Sequence, residues 1–142
     1  MRINNFLETT IMTPENIANI FYQILVAEDP IDQNKEHFWS IGLDSANHIK
    51  YVELVSLGIL NSSLVHPREV FRLAILEGVQ SIIVGHNHPG DHLSPSPEDN
   101  KTMNTLRAAG EIIGIAVLDH IIIGNSWGTQ YKNYYSWKEE RS

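Results

Sequence analysis

The sequence predicts an α/β domain, a mixed sheet with helices on its faces. Three observations predict it. Short apolar runs alternate with helix-length stretches whose apolar residues recur at helical spacing, the pattern of layered sheet and helix. Proline-led capping signals precede each such stretch, at Thr13-Pro14, His66-Pro67 and Ser96-Pro97. Two strand-like runs around residues 36–44 and 49–56 are joined by Ser45-Ala46-Asn47, which reads as a hairpin.

In order, residues 1–12 are expected to be a loose lead-in, and residues 13–142 one domain. Thr13 caps a helix whose buried face is Ile17, Ile20, Phe21, Ile24 and Leu25, and Asp29-Pro30 ends it. Residues 31–35 are a polar connector, the hairpin follows, and residues 57–65 form a loop punctuated by Gly58. The second helix starts at His66-Pro67, buries Val70, Phe71, Ala74 and Ile75, and ends at Gly78; His66 reads as part of its cap. Ser81 to Val84 is a buried strand. The third helix starts at Ser96-Pro97, turns Met103, Leu106, Ala109 and Ile113 inward and closes at Gly114. Residues 115–118 and 121–123 are strand material flanking Asp119-His120, residues 134–137 an edge strand, and 138–142 a charged tail.

Composition excludes several function classes. Ten basic against seventeen acidic side chains give a net charge of −7, so a nucleic acid is not expected as an obligatory partner. With no cysteine there are no disulfides, no thiolate catalysis and no cysteine-ligated zinc. The start lacks a signal-peptide run and no stretch approaches the ~18 apolar residues of a spanning helix, so a cytoplasmic protein without membrane contact is expected. Oligomeric state is left open.

The chemistry is concentrated in residues 82–99. His86 and His88 stand at the end of the apolar run, and residues two apart on a strand face the same side, roughly 6.6 Å apart. The chain returns through Pro89 to Pro95 and can bring Asp99, in the first turn of the third helix, to the same point. Two imidazoles and a carboxylate suit Zn2+ and leave a fourth position for water. Asp91 and His92 are expected to face solvent on the intervening loop. Asp119-His120 reads as a hydrogen-bonded pair, with a supporting role towards a ligand as the alternative.

His-x-His, seven residues, Ser, two residues, Asp resembles the JAB/MPN (JAMM) metalloprotease motif. Five separated matching stretches, the motif's own His86-Asn87-His88-Pro89 and Pro95-Ser96 among them, run in order from Gly58-Ile59-Leu60-Asn61 and Val65-His66-Pro67-Arg68 to Leu118-Asp119-His120-Ile121. They look more specifically like the RadC family of bacterial JAB domains. The family usually reads Pro-Ser-Gly-Asp after the second histidine, where this chain reads Pro89-Gly90-Asp91-His92; the ligand spacing is kept, and the loop's conformation is what the change touches. The resemblance implies a JAB/MPN sandwich similar to cytidine deaminases, although the cysteines of the deaminase signature are missing.

It further implies a zinc-dependent peptidase or isopeptidase acting on an extended peptide or protein substrate, ubiquitin-like tails included, received by strand addition at a sheet edge beside the site. His86, His88 and Asp99 would hold the metal. The family's general base, a glutamate at the start of an early strand, maps to Glu36, with Glu53 as runner-up. Ser96 either caps its helix or, as the resemblance implies, orients the water or donates to the oxyanion, and one hydroxyl is not expected to do both. Two alternatives stand beside this: a metal-dependent nuclease, since RadC proteins carry a DNA-repair label, and a non-catalytic MPN-type binding module. The helix-hairpin-helix segment at the N-terminus of longer members is not expected here.

Overall fold

The computed structural model describes residues 1–3, 5–11, 13–58, 65–128 and 132–141. Among these the order is β1 (Arg2–Ile3), α1 (Pro14–Val26), α2 (Pro30–Gln33), β2 (Glu36–Leu43), β3 (Ile49–Gly58), α3 (Pro67–Glu77), β4 (Ser81–His88), α4 (Pro97–Ile113), β5 (Ala116–Gly124), β6 (Tyr134–Ser136) and α5 (Trp137–Glu140). The strands form one sheet in the order β1-β3-β2-β4-β5-β6. β4 and β5 are parallel and the other pairs antiparallel, so the sheet is mixed as expected.

Each face of the sheet carries its own core. On one, α1 packs Ile17, Phe21 and Leu25 against Trp39, Ile41, Ile83 and Ile121. On the other, α3 and α4 pack Phe71, Met103 and Leu106 against Phe38, Tyr51, Ile82 and Val84. Successive strand residues point to opposite faces, so β4 sends Ile82, Val84, His86 and His88 to the second face and Ile83, Gly85 and Asn87 to the first. Being covered on both sides, the central strands read as continuous apolar runs rather than alternating ones.

The capping signals act as expected. Thr13 accepts from the Asn16 amide at 3.1 Å, and His66 Nδ1 from the Arg68 amide at 3.1 Å. Several expectations are corrected. Residues 2–3 are not loose, because β1 pairs with β3. The 31–35 connector and the charged tail each contain a short helix. The strand material around Asp119-His120 is one unbroken strand. Ile75 is exposed one position off the buried stripe of α3, and Ile113 is exposed as the last residue of α4, while Leu73 and Gly110 are buried instead. Most of the 57–65 loop lies outside the described residues, and Leu57 and Gly58 belong to β3. No helix among the described residues is long and apolar enough to cross a membrane.

Gly85 sits directly before the first motif histidine, and a Cβ there would lie 2.4 Å from Phe21 Cε2. The Phe21 ring has little room to yield, because it stacks on Trp39 at 5.1 Å and both are fully buried. Overpacking of this kind costs roughly 1–3 kcal/mol. Gly85→Ala is expected to lose that much stability in urea unfolding, with no change in the histidines themselves.

Candidate metal centre

The centre forms where β4 ends under the start of α4. His86 is 1% exposed and Asp99 6%, whereas His88 is half-buried. His86 Nε2 lies 2.9 Å from His88 Nε2 and 3.3 Å from Asp99 Oδ1, and His88 Nε2 lies 3.1 Å from Asp99 Oδ2. One ligand atom from each residue falls within 4.8 Å of the others.

The far side of each ring is occupied. His88 Nδ1 donates to the His92 carbonyl, and His86 Nδ1 pairs with His120 Nε2 at 2.7 Å. Both Nε2 atoms therefore turn toward the carboxylate. Two ring nitrogens 2.9 Å apart beside a carboxylate repel unless a positive charge lies among them. With zinc–nitrogen bonds of ~2.0–2.1 Å, ligand atoms of a tetrahedral site stand about 3.3 Å apart. The three separations fit such an ion.

Electrostatics agree. Burial raises the Asp99 pKa, but hydrogen bonds from His86 and His88 outweigh it and hold the carboxyl well below its usual range. Burial works against a charged His88, yet the Asp99 carboxylate, the His92 carbonyl and the nearby Glu36 charge overcome it and raise that ring above its ordinary 6.5. In the metal-free chain a proton on His88 stands where a cation would.

Asp99 is fixed by a capping box. Ser96 Oγ accepts from the Asp99 amide at 3.0 Å, while Asp99 Oδ2 accepts from the Ser96 amide at 2.9 Å. The cap uses only a lone pair of Ser96, so its O–H proton remains available, and the expected conflict between capping and donating does not arise.

Glu36 opens β2, half-buried. In the β2–β4 register Phe38 faces His86, with the two rings stacked at 6.2 Å. Glu36, two residues earlier, shares the face of Phe38 and lies across from His88. Glu53 does not reach the site. It pairs with Ser40, four residues along β2 from Glu36 or ~13 Å, and its carboxylate lies 3.6 Å from Arg72. Burial raises its pKa.

The Asp119-His120 pair divides its work. Asp119 accepts from Ser136 Oγ at 2.6 Å and the Lys138 amide at 3.0 Å, pinning β6 and α5 to β5, and burial raises its pKa. His120 faces the centre, buried, and that burial pushes its pKa far down, while its Nε2 pairs with His86 Nδ1 at 2.7 Å. Asp91 is not a solvent residue. At φ 62° it accepts from the Ser126 amide at 2.9 Å and Ser126 Oγ at 3.1 Å. It lies directly on Gly124, where a Cβ would come within 2.4 Å of Asp91 Oδ1. This clamp fixes the loop so that its next carbonyl, that of His92, meets His88. The His92 side chain is exposed and outside the ligand group.

A mixed sheet with paired histidines on an inner strand and an aspartate in the capping box of the following helix defines a JAB/MPN-type domain whose His-His-Asp group could hold a metal ion, consistent with a metallohydrolase of the JAMM type. The chain belongs to the RadC-like JAB domain family, whose model matches residues 11–142. It is similar to UPF0758 proteins. The one from Desulforudis audaxviator is 46% identical over 125 residues, covering 88% of this chain and 52% of that protein. The one from Caldanaerobacter subterraneus subsp. tengcongensis is 42% identical over 131 residues, 91% of this chain and 54% of that protein. The one from Methanosarcina mazei is 39% identical over 142 residues, 98% of this chain and 57% of that protein. The chain thus spans about half the length of the curated relatives it matches.

Two outcomes follow for the centre. Removing a partner that orients a ligating histidine typically costs about 10–100-fold in metal affinity, and His120→Phe is expected to weaken zinc binding by that factor in calorimetric titration. The raised His88 pKa stabilises the metal-free fold fully below its unfolded value, and that contribution is lost as pH rises through the folded value. The depressed Asp99 pKa keeps its contribution constant over the same window. In chelator, Tm should fall between about pH 6 and 8 more steeply for the native chain than for His88→Gln.

Proposed function

We propose that the protein is a cytoplasmic zinc-dependent peptidase or isopeptidase, cleaving an amide bond in an extended segment of a protein substrate, with ubiquitin-like tails among the candidates. The observation that carries this reading is a two-histidine, one-carboxylate centre with a second carboxylate, Glu36, held across the sheet from His88. Zinc held there would supply Lewis acidity and lower the pKa of its water towards neutrality. Glu36 takes the proton of the attacking water and returns it to the leaving amine. Ser96 Oγ–H donates to the oxygen that gains charge in the tetrahedral transition state. His86, His88 and Asp99 hold the metal, and His120 and the His92 carbonyl keep the ligating nitrogens turned inward.

The surroundings suit a chain-like substrate better than a phosphodiester. Arg68 and Lys101, the candidate cations near the starts of α3 and α4, are exposed on helix faces. A cavity of about 420 Å³ between the starts of α3 and α4 borders Glu98 and Thr102, on either side of Asp99. β2 and β4 are interior strands, so strand addition cannot occur on them. Met1 to Ile3 cover the outer edge of β3 from Val52 to Leu54, and from Val55 to Gly58 that edge has no strand beside it among the described residues. That edge ends at Gly58, the partner of Glu36, and offers backbone groups to an extended peptide.

The test is to incubate zinc-loaded protein with peptide and isopeptide libraries and with single- and double-stranded DNA. Peptide or isopeptide cleavage is expected. His88→Ala should lose metal and activity together, while Glu36→Gln should keep zinc and lose about 10²–10⁴ in rate. Metal-dependent DNA cutting that vanishes in both variants, with no peptide cut, would make the protein a nuclease.

A further inference from the structure

Asn87 stands between the two motif histidines and, by strand alternation, points to the opposite face of the sheet. It is completely buried there. Its Oδ1 accepts from the His37 amide at 2.6 Å, and its Nδ2 donates to the Lys35 carbonyl at 3.1 Å. Those two groups belong to the peptide units on either side of Glu36. Along β4 the backbone pairing with β2 runs only as far as Phe38 and His86. Beyond that point, one carboxamide makes the two bonds that a partner strand would have made around Glu36.

The carboxamide is held in turn. Asn87 Nδ2 also donates to Asn125 Oδ1 at 3.0 Å, and Asn125 Nδ2 donates to the Gln33 carbonyl at 2.5 Å. The neighbouring His37 ring is fully buried, stacks on Trp39 at 5.2 Å and meets Glu28 Oε2 at 2.5 Å. A carboxamide is the one side-chain group of this size that offers both an acceptor and a donor in the required places. We infer that Asn87 is a positioning residue for Glu36: from the back of the sheet it fixes the backbone of the base at the height of the metal ligands on its two sides in sequence. The inference rests on Glu36 being the base, but the clamp itself can be read without any substrate.

Hydrogen exchange of the metal-free protein reads it directly. In Asn87→Ala the His37 amide should exchange on the order of tenfold faster, while the Phe38 amide and zinc affinity stay near those of the native chain. With the best substrate found, kcat should fall roughly 10–100-fold at little changed KM, the cost of a misplaced group. In a Glu36→Gln background the same change should cost nothing more. Asn87→Asp keeps the acceptor and loses the donor, so His37 should stay protected while kcat falls by a smaller factor; this variant decides the matter if Asn87→Ala does not fold. Unchanged His37 exchange in Asn87→Ala, or exposure of His37 in Asn87→Asp, overturns the clamp. An equal loss of kcat with and without Glu36, or loss of zinc, overturns the positioning role. If Glu36→Gln turns over at the native rate while His37 exchange responds as stated, the clamp stands and the assignment of the base has failed.

Discussion

The antiparallel pairing of β2 with β4 is the constraint on which the centre depends. It places Phe38 opposite His86 in the middle of the sheet, with α1 covering one face and α3 and α4 the other. A strand's side chains alternate with a period of two, so a slip of one residue would send both histidines to the α1 face and Asn87 to the α4 face. The pattern of buried side chains forbids that slip. Gly85 admits the Phe21 ring on one side, and Val84 and Ile82 fill the α3–α4 core on the other. The register is thus set by apolar packing well below the site, and the polar residues at the strand ends inherit it.

Polar groups then extend the sheet past the point where its ladder stops. On the α4 face His86, His88 and Asp99 converge, backed by His120 and the His92 carbonyl. On the α1 face Asn87, Asn125 and His37 close the gap to the start of β2. Buried polar side chains are costly unless satisfied, and here nearly every one near the centre has its partner in another element of the fold. Asp91 ties the connecting loop to the segment after β5, and Asp119 ties β5 to the C-terminal helix. The centre is consequently held from four directions.

Much of this was legible in the sequence. Helix starts at Thr13, His66 and Ser96 follow from local capping chemistry, and the apolar runs give the inner strands. His86, His88 and Asp99 are close in sequence and carry a spacing, so their convergence could be foreseen. Glu36 lies fifty residues from His86, and only the family resemblance pointed to it before the register was known. His120 and Asn87 were harder. Whether His120 faces the ligands depends on the pairing of β5 with β4, a long-range fact. Asn87 did leave a signal: a residue between two same-face histidines on an inner strand must be buried on the other side, and a buried carboxamide must have partners. Asp91 gives no such signal, because a polar loop residue looks solvated until Gly124, 33 positions later, makes room for it.

The ligand group is drawn from a capped helix start and a paired strand, so His86, His88 and Asp99 stand on elements that the rest of the fold already holds. Donor type by itself gives the protein little means of choosing its ion. With imidazole and carboxylate donors alone, affinities among divalent first-row metals follow the usual rise from manganese to copper. Selection of zinc, as proposed above, would rest on the near-tetrahedral spacing of the three ligand atoms as well as on which ions reach the folded chain.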